Sequence, residues 1–177
     1  KKGKPRRCDP KSSRESQIRI SYDQAGYWSV LGQVSVVYLK QEESSMNLAE
    51  MGDAPLEALD IPDVRGTIIH EFGHALGLLH EHQSPVSTCA NEFNWDYIVK
   101  YLSGPPNNWS EDQIKTNMAT EVGEDLMMTD FDSQSVMLYY FPEEFYTDGT
   151  KASCFIQKPN DAISDVDRGT VQFMYPS

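Results

Sequence analysis

No stretch of 18 continuous apolar residues occurs in this sequence, which excludes a membrane-spanning helix of ordinary length. No internal repeat appears either, so the 177 residues, 39% of them hydrophobic, suit one core rather than an array. No dense Asp/Asn loop of the EF-hand type is present, and no calcium site of that kind is expected. Positive charge is scarce after position 14, where eight Lys and Arg face 26 Asp and Glu. A body this acidic repels nucleic acid, and no nucleic-acid partner is expected. The other seven basic residues crowd positions 1–14, a charge run that reads as a solvated tail or processing segment, with Lys4-Pro5-Arg6-Arg7 suited to cleavage after paired basic residues. The expected organisation is a basic N-terminal segment at 1–14 and a single domain at 15–177. The first residue is lysine, so the chain reads as a processed or excised product.

What the sequence does contain is His70-Glu71-Phe72-Gly73-His74-Ala75-Leu76-Gly77-Leu78-Leu79-His80, the pattern H-E-x-x-H-x-x-G-x-x-H. Two histidines four apart on a helix share one face about a turn from each other, so both imidazoles can close on one metal ion. Glu71 then reaches a metal-bound water. Gly77 permits a turn at the helix end, through φ > 0 if needed, that returns His80 as third ligand. Three protein ligands leave a fourth position open, which marks a catalytic rather than a structural zinc site. The short H-E-x-x-H pattern is weakly specific. The added glycine and third histidine sharpen it, and they use three of the four histidines in the chain. His82 lies outside the ligand spacing and reads as an exposed or loop-bonding residue.

Downstream, Ser135-Val136-Met137-Leu138-Tyr139 has the form of a methionine-containing turn. With the first motif it resembles the metzincin zinc endopeptidases, and within them the astacin family, on its microbial branch. Met137 and Tyr139 match the family's turn, and Leu138 replaces its histidine. Glu81 matches the glutamate that follows the third ligand, which anchors the processed N-terminus in many astacins. Further likeness lies in Gln17 to Ser21, Met46-Asn47-Leu48, the segment 104–109 and the terminal Phe173-Met174-Tyr175-Pro176, so the resemblance runs from about residue 14 to the end. It implies an α+β metzincin-like catalytic domain: a mixed twisted sheet, an active-site helix, and a helical, loop-rich C-terminal subdomain. It also implies a strand and helix ahead of Ile18 and Ile20, where this chain has only its basic head, so the domain reads as reduced or truncated at that end.

The implied activity is a secreted, zinc-dependent endopeptidase. Zn2+ is held by His70, His74 and His80, with Tyr139 as a possible additional ligand. Glu71 accepts the proton of the zinc-bound water and passes it to the departing nitrogen, and Tyr139 steadies the oxyanion. Implied partners are protein or peptide substrates bound extended along the cleft edge, with no nucleic-acid or membrane partner, to a monomeric enzyme. The alternative is a latent or truncated, catalytically silent form that binds zinc and peptides without cutting them.

Cysteine arithmetic leaves one thiol over. A Cys89–Cys154 bridge would tie the segment after the zinc motif to the segment after the methionine turn. Cys8 is then free or paired elsewhere, and either it or Asp9 could serve as a latency switch at the open zinc position.

Alternation at Gln17 to Ser21 and the β-branched run Val34 to Leu39 predict two strands, and Met46-Asn47-Leu48 is expected at the edge strand lining the cleft. Pro62 marks the start of the active-site helix, with Val64, Ile68, Phe72, Ala75 and Leu79 as its buried stripe and the ligands on the cleft side. Asn94, Ser110 and Ser164 are predicted helix caps, the last opening a helix that buries Val171 and Met174. Trp28, Trp95 and Trp109 read as packing residues, and 141–148 as the primed side of the cleft.

Overall fold

The computed structural model describes residues 16–123 and 126–176. The basic head, with Cys8 and Asp9 and their switch role, lies outside the described residues. The architecture is mixed α+β, with a small sheet packed against a long helix and a set of shorter helices in the second half of the chain.

Three short strands form the sheet: β1 (Ile20–Ser21), β2 (Tyr27–Ser29) and β3 (Met46–Leu48), in the order β1-β3-β2. β3 runs parallel to β1 and antiparallel to β2. The strand expected at the edge is therefore the central one, and all three of its residues are buried. Met46 and Leu48 supply apolar surface, while Asn47 is fully satisfied: its Nδ2 donates to the carbonyls of Gln24 and Gly26, and its Oδ1 accepts from Ser21 Oγ and Gln24 N. That side chain ties the β1–β2 connection onto the middle of the sheet, which leaves β2 on an outer edge.

The second predicted strand is also corrected, since Val34–Val37 forms a one-turn helix, α1. Both flanks of β3 are already paired, so no ladder on that central strand remains for it. Gly32 turns the chain at φ 48°, Ser35 Oγ donates to the carbonyls of Gly32 and Gln17, and Arg19 reaches the Ser35 carbonyl at 2.9 Å. These tertiary bonds override the strand preference of the valines, whose side chains at 34, 36 and 37 stay exposed. The first predicted strand shortens to Ile20–Ser21.

After the short helix α2 (Leu56–Leu59) comes α3 (Pro62–Ala75), with proline at its start as predicted and Asp63 in its first turn. Its burial differs from the predicted stripe. Phe72 and Leu79 are each 36% exposed, whereas Gly66, His70, Glu71 and Gly73 are buried. Three short strands cover little of the apolar side, and the helix instead packs through its glycines. A Cβ at Gly66 would stand 2.7 Å from the Asn160 carbonyl, and one at Gly73 would overlap the sulfur of Met137. The ligand-bearing side is thus the one pressed against the rest of the molecule.

The second half packs α4 (Cys89–Glu92), α5 (Trp95–Ser103) and α6 (Glu111–Met118) around Phe93, Ile98, Leu102, Ile114, Met118, Phe145 and Tyr146. Asn94 caps α5 and Ser110 caps α6 through a reciprocal capping box with Gln113, both as predicted. Cys89 and Cys154 form the expected disulfide, with Cα atoms 5.4 Å apart, fixing the start of α4 to the chain beyond Tyr146. The last helix, α7 (Asp165–Met174), begins at the Ser164 capping box. Val171 and Met174 are only half-buried, and the buried residue of this helix is Asp167. Among the described residues no helix is long and apolar enough to cross a membrane.

Candidate metal centre

Helix α3 presents His70 and His74 one turn apart, then ends at Leu76, where Gly77 takes φ 96°. Only glycine enters this region without strain, and it closes the helix with Gly77 N–H on the His74 carbonyl and Leu78 N–H on the Gly73 carbonyl. The reversal carries the chain to His80. The three imidazoles each offer one nitrogen, and these atoms all lie within 4.8 Å of one another.

Each ring is oriented through its other nitrogen. His70 Nδ1 donates to the Val136 carbonyl and His74 Nδ1 to the Leu78 carbonyl, both at 2.8 Å. His80 Nδ1 lies 2.8 Å from Gln83 Oε1, and the Gln83 amide nitrogen is already spent on the carbonyls of Thr116 and Ala119. The Gln83 oxygen must therefore accept, which places the His80 hydrogen on Nδ1 as well. All three Nε2 lone pairs then point inward. His74 and His80 Nε2 stand 3.1 Å apart, and His70 Nε2 is buried without a hydrogen-bond partner among the described residues. Converging acceptors with no donor between them are unfavourable unless a cation sits among them. Three neutral imidazole nitrogens with an open side fit Zn2+.

Burial keeps these rings neutral. It lowers His70 to about 4 and His80 to about 2, and lowers His74 as well. Burial pushes the Glu71 carboxyl up to about 7, and its Oε2 has no hydrogen-bond partner among the described residues. Tyr139 is pushed up to about 12, by burial and then by the charge of Glu71, so its hydroxyl stays protonated. Its ring lies 5.1 Å from that of His70 and 4.3 Å from that of His80. Among the described residues its hydroxyl has no hydrogen-bond partner. His70, His74, His80, Glu71, Met137 and Tyr139 are thus brought to one place.

The methionine turn lies directly against α3. Met137 is buried beside Gly73, and its carbonyl accepts from Glu81 N at 3.0 Å. Glu81 itself accepts from Asp132 N, so in these residues its carboxylate braces the approach to the turn. His82 is fully buried rather than exposed, its Nε2 donating to the Asn117 carbonyl and its ring stacked at 5.3 Å on both His80 and Tyr139.

The family model for Astacin, a family of peptidases, matches residues 59–167, from the approach to α3 through Asp167. The chain belongs to the astacin family. Among solved structures this astacin is similar to myroilysin, with 31% identity and a TM-score of 0.78 over 94% of this chain and 76% of that one. A second myroilysin crystal structure matches at 29% identity and TM-score 0.56, over 94% and 68% of the two chains. High choriolytic enzyme 1, a hatching enzyme zinc-protease from the medaka fish Oryzias latipes, shares 20% identity and a TM-score of 0.52 over 93% and 70%, a likeness of fold alone. No curated protein matches the sequence. This astacin is a zinc metalloendopeptidase, with zinc as its cofactor.

Three residues that hold the site were not legible as such in the sequence. Gln83 orients His80, Asp167 binds the methionine turn, and Gly73 makes room for Met137. Gln83 carried a weak signal in its spacing of three from the last ligand. Asp167 carried none beyond its place in a capping box.

Proposed function

We propose that this astacin is a secreted enzyme that hydrolyses internal peptide bonds of proteins, with His70, His74 and His80 holding zinc, Glu71 as general base and acid, and Tyr139 as oxyanion donor. The observation that carries this reading is the convergence of three oriented Nε2 atoms beside a buried carboxylate, one oxygen of which has no hydrogen-bond partner among the described residues. Bound zinc supplies Lewis acidity to the scissile carbonyl and to water. Glu71 takes the proton from the attacking water and delivers it to the departing nitrogen, a transfer its near-neutral carboxyl suits. Tyr139, protonated and without another hydrogen-bond partner among the described residues, donates to the carbonyl oxygen as that atom gains charge.

Substrate binds extended, and the strand it joins is β2 rather than β3. Among the described residues the outer edge of β2 has no strand partner, and the loop after it is tied to the ligand helix by Gly32 N–H on the His74 carbonyl at 2.9 Å. The disulfide favours an oxidising, extracellular setting. The acidic body disfavours nucleic acid as a partner, and the enzyme works as a monomer on protein or peptide substrates without a membrane partner.

The test is metal content and cleavage of an unfolded protein substrate on one sample, before chelation, after chelation and after zinc return. One zinc per chain with chelator-sensitive, zinc-restored cleavage is expected, and Glu71→Gln retains the zinc while losing cleavage. Absence of zinc binding would overturn the reading.

A further inference from the structure

His82 is fully buried against the rings of the metal centre, yet no step above uses it. We infer that His82 is a positioning residue for the oxyanion donor: its ring face holds the Tyr139 ring in the orientation that aims the hydroxyl at the scissile carbonyl, and its bond to Asn117 fixes that face to α6. The inference rests on the oxyanion role given to Tyr139 and deepens it by naming what keeps the donor in place.

Tyr139 needs such support. It is 36% exposed, and among the described residues no hydrogen bond holds its hydroxyl, so the ring is placed by the rings around it. The hydroxyl sits at the far end of a long side chain, where a small turn about χ1 moves it far, and a misplacement of about 1 Å costs on the order of 10²-fold in rate. Among the described residues four rings lie against Tyr139: His70 stacked at 5.1 Å and 16°, His80 tilted at 4.3 Å, His82 stacked at 5.3 Å and 22°, and Phe141 edge-on at 5.8 Å. His70 and His80 are committed to the metal, and Phe141 follows Tyr139 by two residues on the same segment. His82 is the one of these four anchored to α6. Its Nε2–H donates to the Asn117 carbonyl at 2.9 Å, and the neighbouring Gln83 donates to the carbonyls of Thr116 and Ala119 at the same helix end. Phe141 meets both rings edge-on, His82 at 88° and Tyr139 at 89°, which keeps the two stacked faces in register.

The choice of histidine is informative. With its hydrogen on Nε2, the Nδ1 lone pair of His82 is buried without a hydrogen-bond partner among the described residues, and a group left so is destabilising. Phenylalanine would fill the space without the orphan nitrogen, and glutamine would reach the Asn117 carbonyl without a ring. Histidine supplies the donor and the flat face together.

The experiment divides those two functions in the zinc-loaded chain. His82→Phe keeps the ring face and loses the donor, and His82→Gln keeps the donor and loses the face. With one peptide substrate, kcat of the Phe variant is expected to exceed that of the Gln variant by about fivefold or more, with KM changed less than about twofold in either. The reverse order would mark His82 as a structural tie to Asn117 and overturn the inference. In the Tyr139→Phe background, His82→Gln should alter kcat by less than about twofold, because no hydroxyl remains to be misplaced. An equal loss in both backgrounds would overturn it. Affinity for a phosphinic peptide, a tetrahedral mimic of the intermediate, should fall in His82→Gln in step with kcat, while zinc retention against a chelator matches that of the unaltered chain. A parallel loss of zinc would move the effect to His80 and overturn the inference. If Tyr139→Phe leaves kcat unaltered, the oxyanion reading falls and this one with it; if Tyr139→Phe slows the reaction and the Phe/Gln order is reversed, this inference alone falls. Should either His82 variant fail to fold, the unaltered chain decides: with zinc and the phosphinic peptide bound, nuclear Overhauser contacts between the rings of His82 and Tyr139 are expected, and their absence would overturn it.

Discussion

The carboxylate of Asp167 accepts the Ser135 hydroxyl at 2.6 Å and, through its other oxygen, the Val136 N–H at 3.0 Å. The next carbonyl along, that of Val136, holds His70 Nδ1. A capping-box residue of the last helix therefore sets the orientation of the first histidine through a single turn of chain. Asp167→Ala removes a buried acceptor of several bonds, each worth about 1.5–3 kcal/mol when one partner is charged. A loss of roughly 3–5 kcal/mol in urea unfolding is expected, with weaker zinc retention. Zinc affinity equal to that of the unaltered chain would show that His70 does not depend on this turn.

Gly73 and Met137 form the second support. A Cβ at 73 collides with the methionine sulfur, and overpacking of this kind costs about 1–3 kcal/mol. Gly73→Ala should show that penalty, and Met137→Ala should absorb it, so that adding Gly73→Ala to Met137→Ala changes little. Strict additivity in the double variant would disprove the contact.

Tyr139→Phe tests the hydroxyl without disturbing the ring stack. A donor aimed at developing charge contributes roughly 3 kcal/mol, so kcat should fall about 10²- to 10³-fold with KM nearly unchanged. An unaltered kcat would remove the residue from the chemistry.

The Cys89–Cys154 bridge closes a loop of 65 residues across the aromatic core. Replacing both cysteines by alanine should lower stability by about 4 kcal/mol on the chain-entropy account. Equal unfolding midpoints with and without the bridge would contradict that account here.

What could be read ahead of the structure follows from how local the cause was. The ligand spacing, the turn at Gly77, the Pro62 start and the caps at Asn94, Ser110 and Ser164 are all set within a few residues, and each appears as predicted. The misread segments depend on distant partners. Val34–Val37 looks like a strand until β1 and β2 are seen to occupy both sides of Met46–Leu48. The buried face of α3 follows glycines that admit Met137 and the 160 loop, not the apolar count. Of the two readings of His82, exposed or loop-bonding, only the second fits its bond to the Asn117 carbonyl, and its burial was hidden because nothing nearby in sequence reveals that carbonyl or the ring of Phe141.

That buried histidine makes a sharp pH prediction for the zinc-free protein. Burial lowers His82 to about 4, even though its bond to the Asn117 carbonyl acts the other way. In the unfolded chain an imidazole takes up a proton near pH 6.5. Between those values unfolding absorbs a proton that the folded ring refuses, so stability is full above pH 6.5 and falls as pH drops toward 4. One such proton tilts stability by at most about 1.4 kcal/mol per pH unit, on the order of 3 kcal/mol across the window. His70 and His80, likewise depressed by burial, add to the slope. His82→Phe keeps an aromatic ring against Tyr139 and Phe141 but cannot take up the proton. Whatever its absolute stability, its urea-unfolding free energy should decline less steeply on acidification, by up to one proton's worth, than that of the chelated parent. Parallel profiles would mean that His82 does not titrate on unfolding in this range.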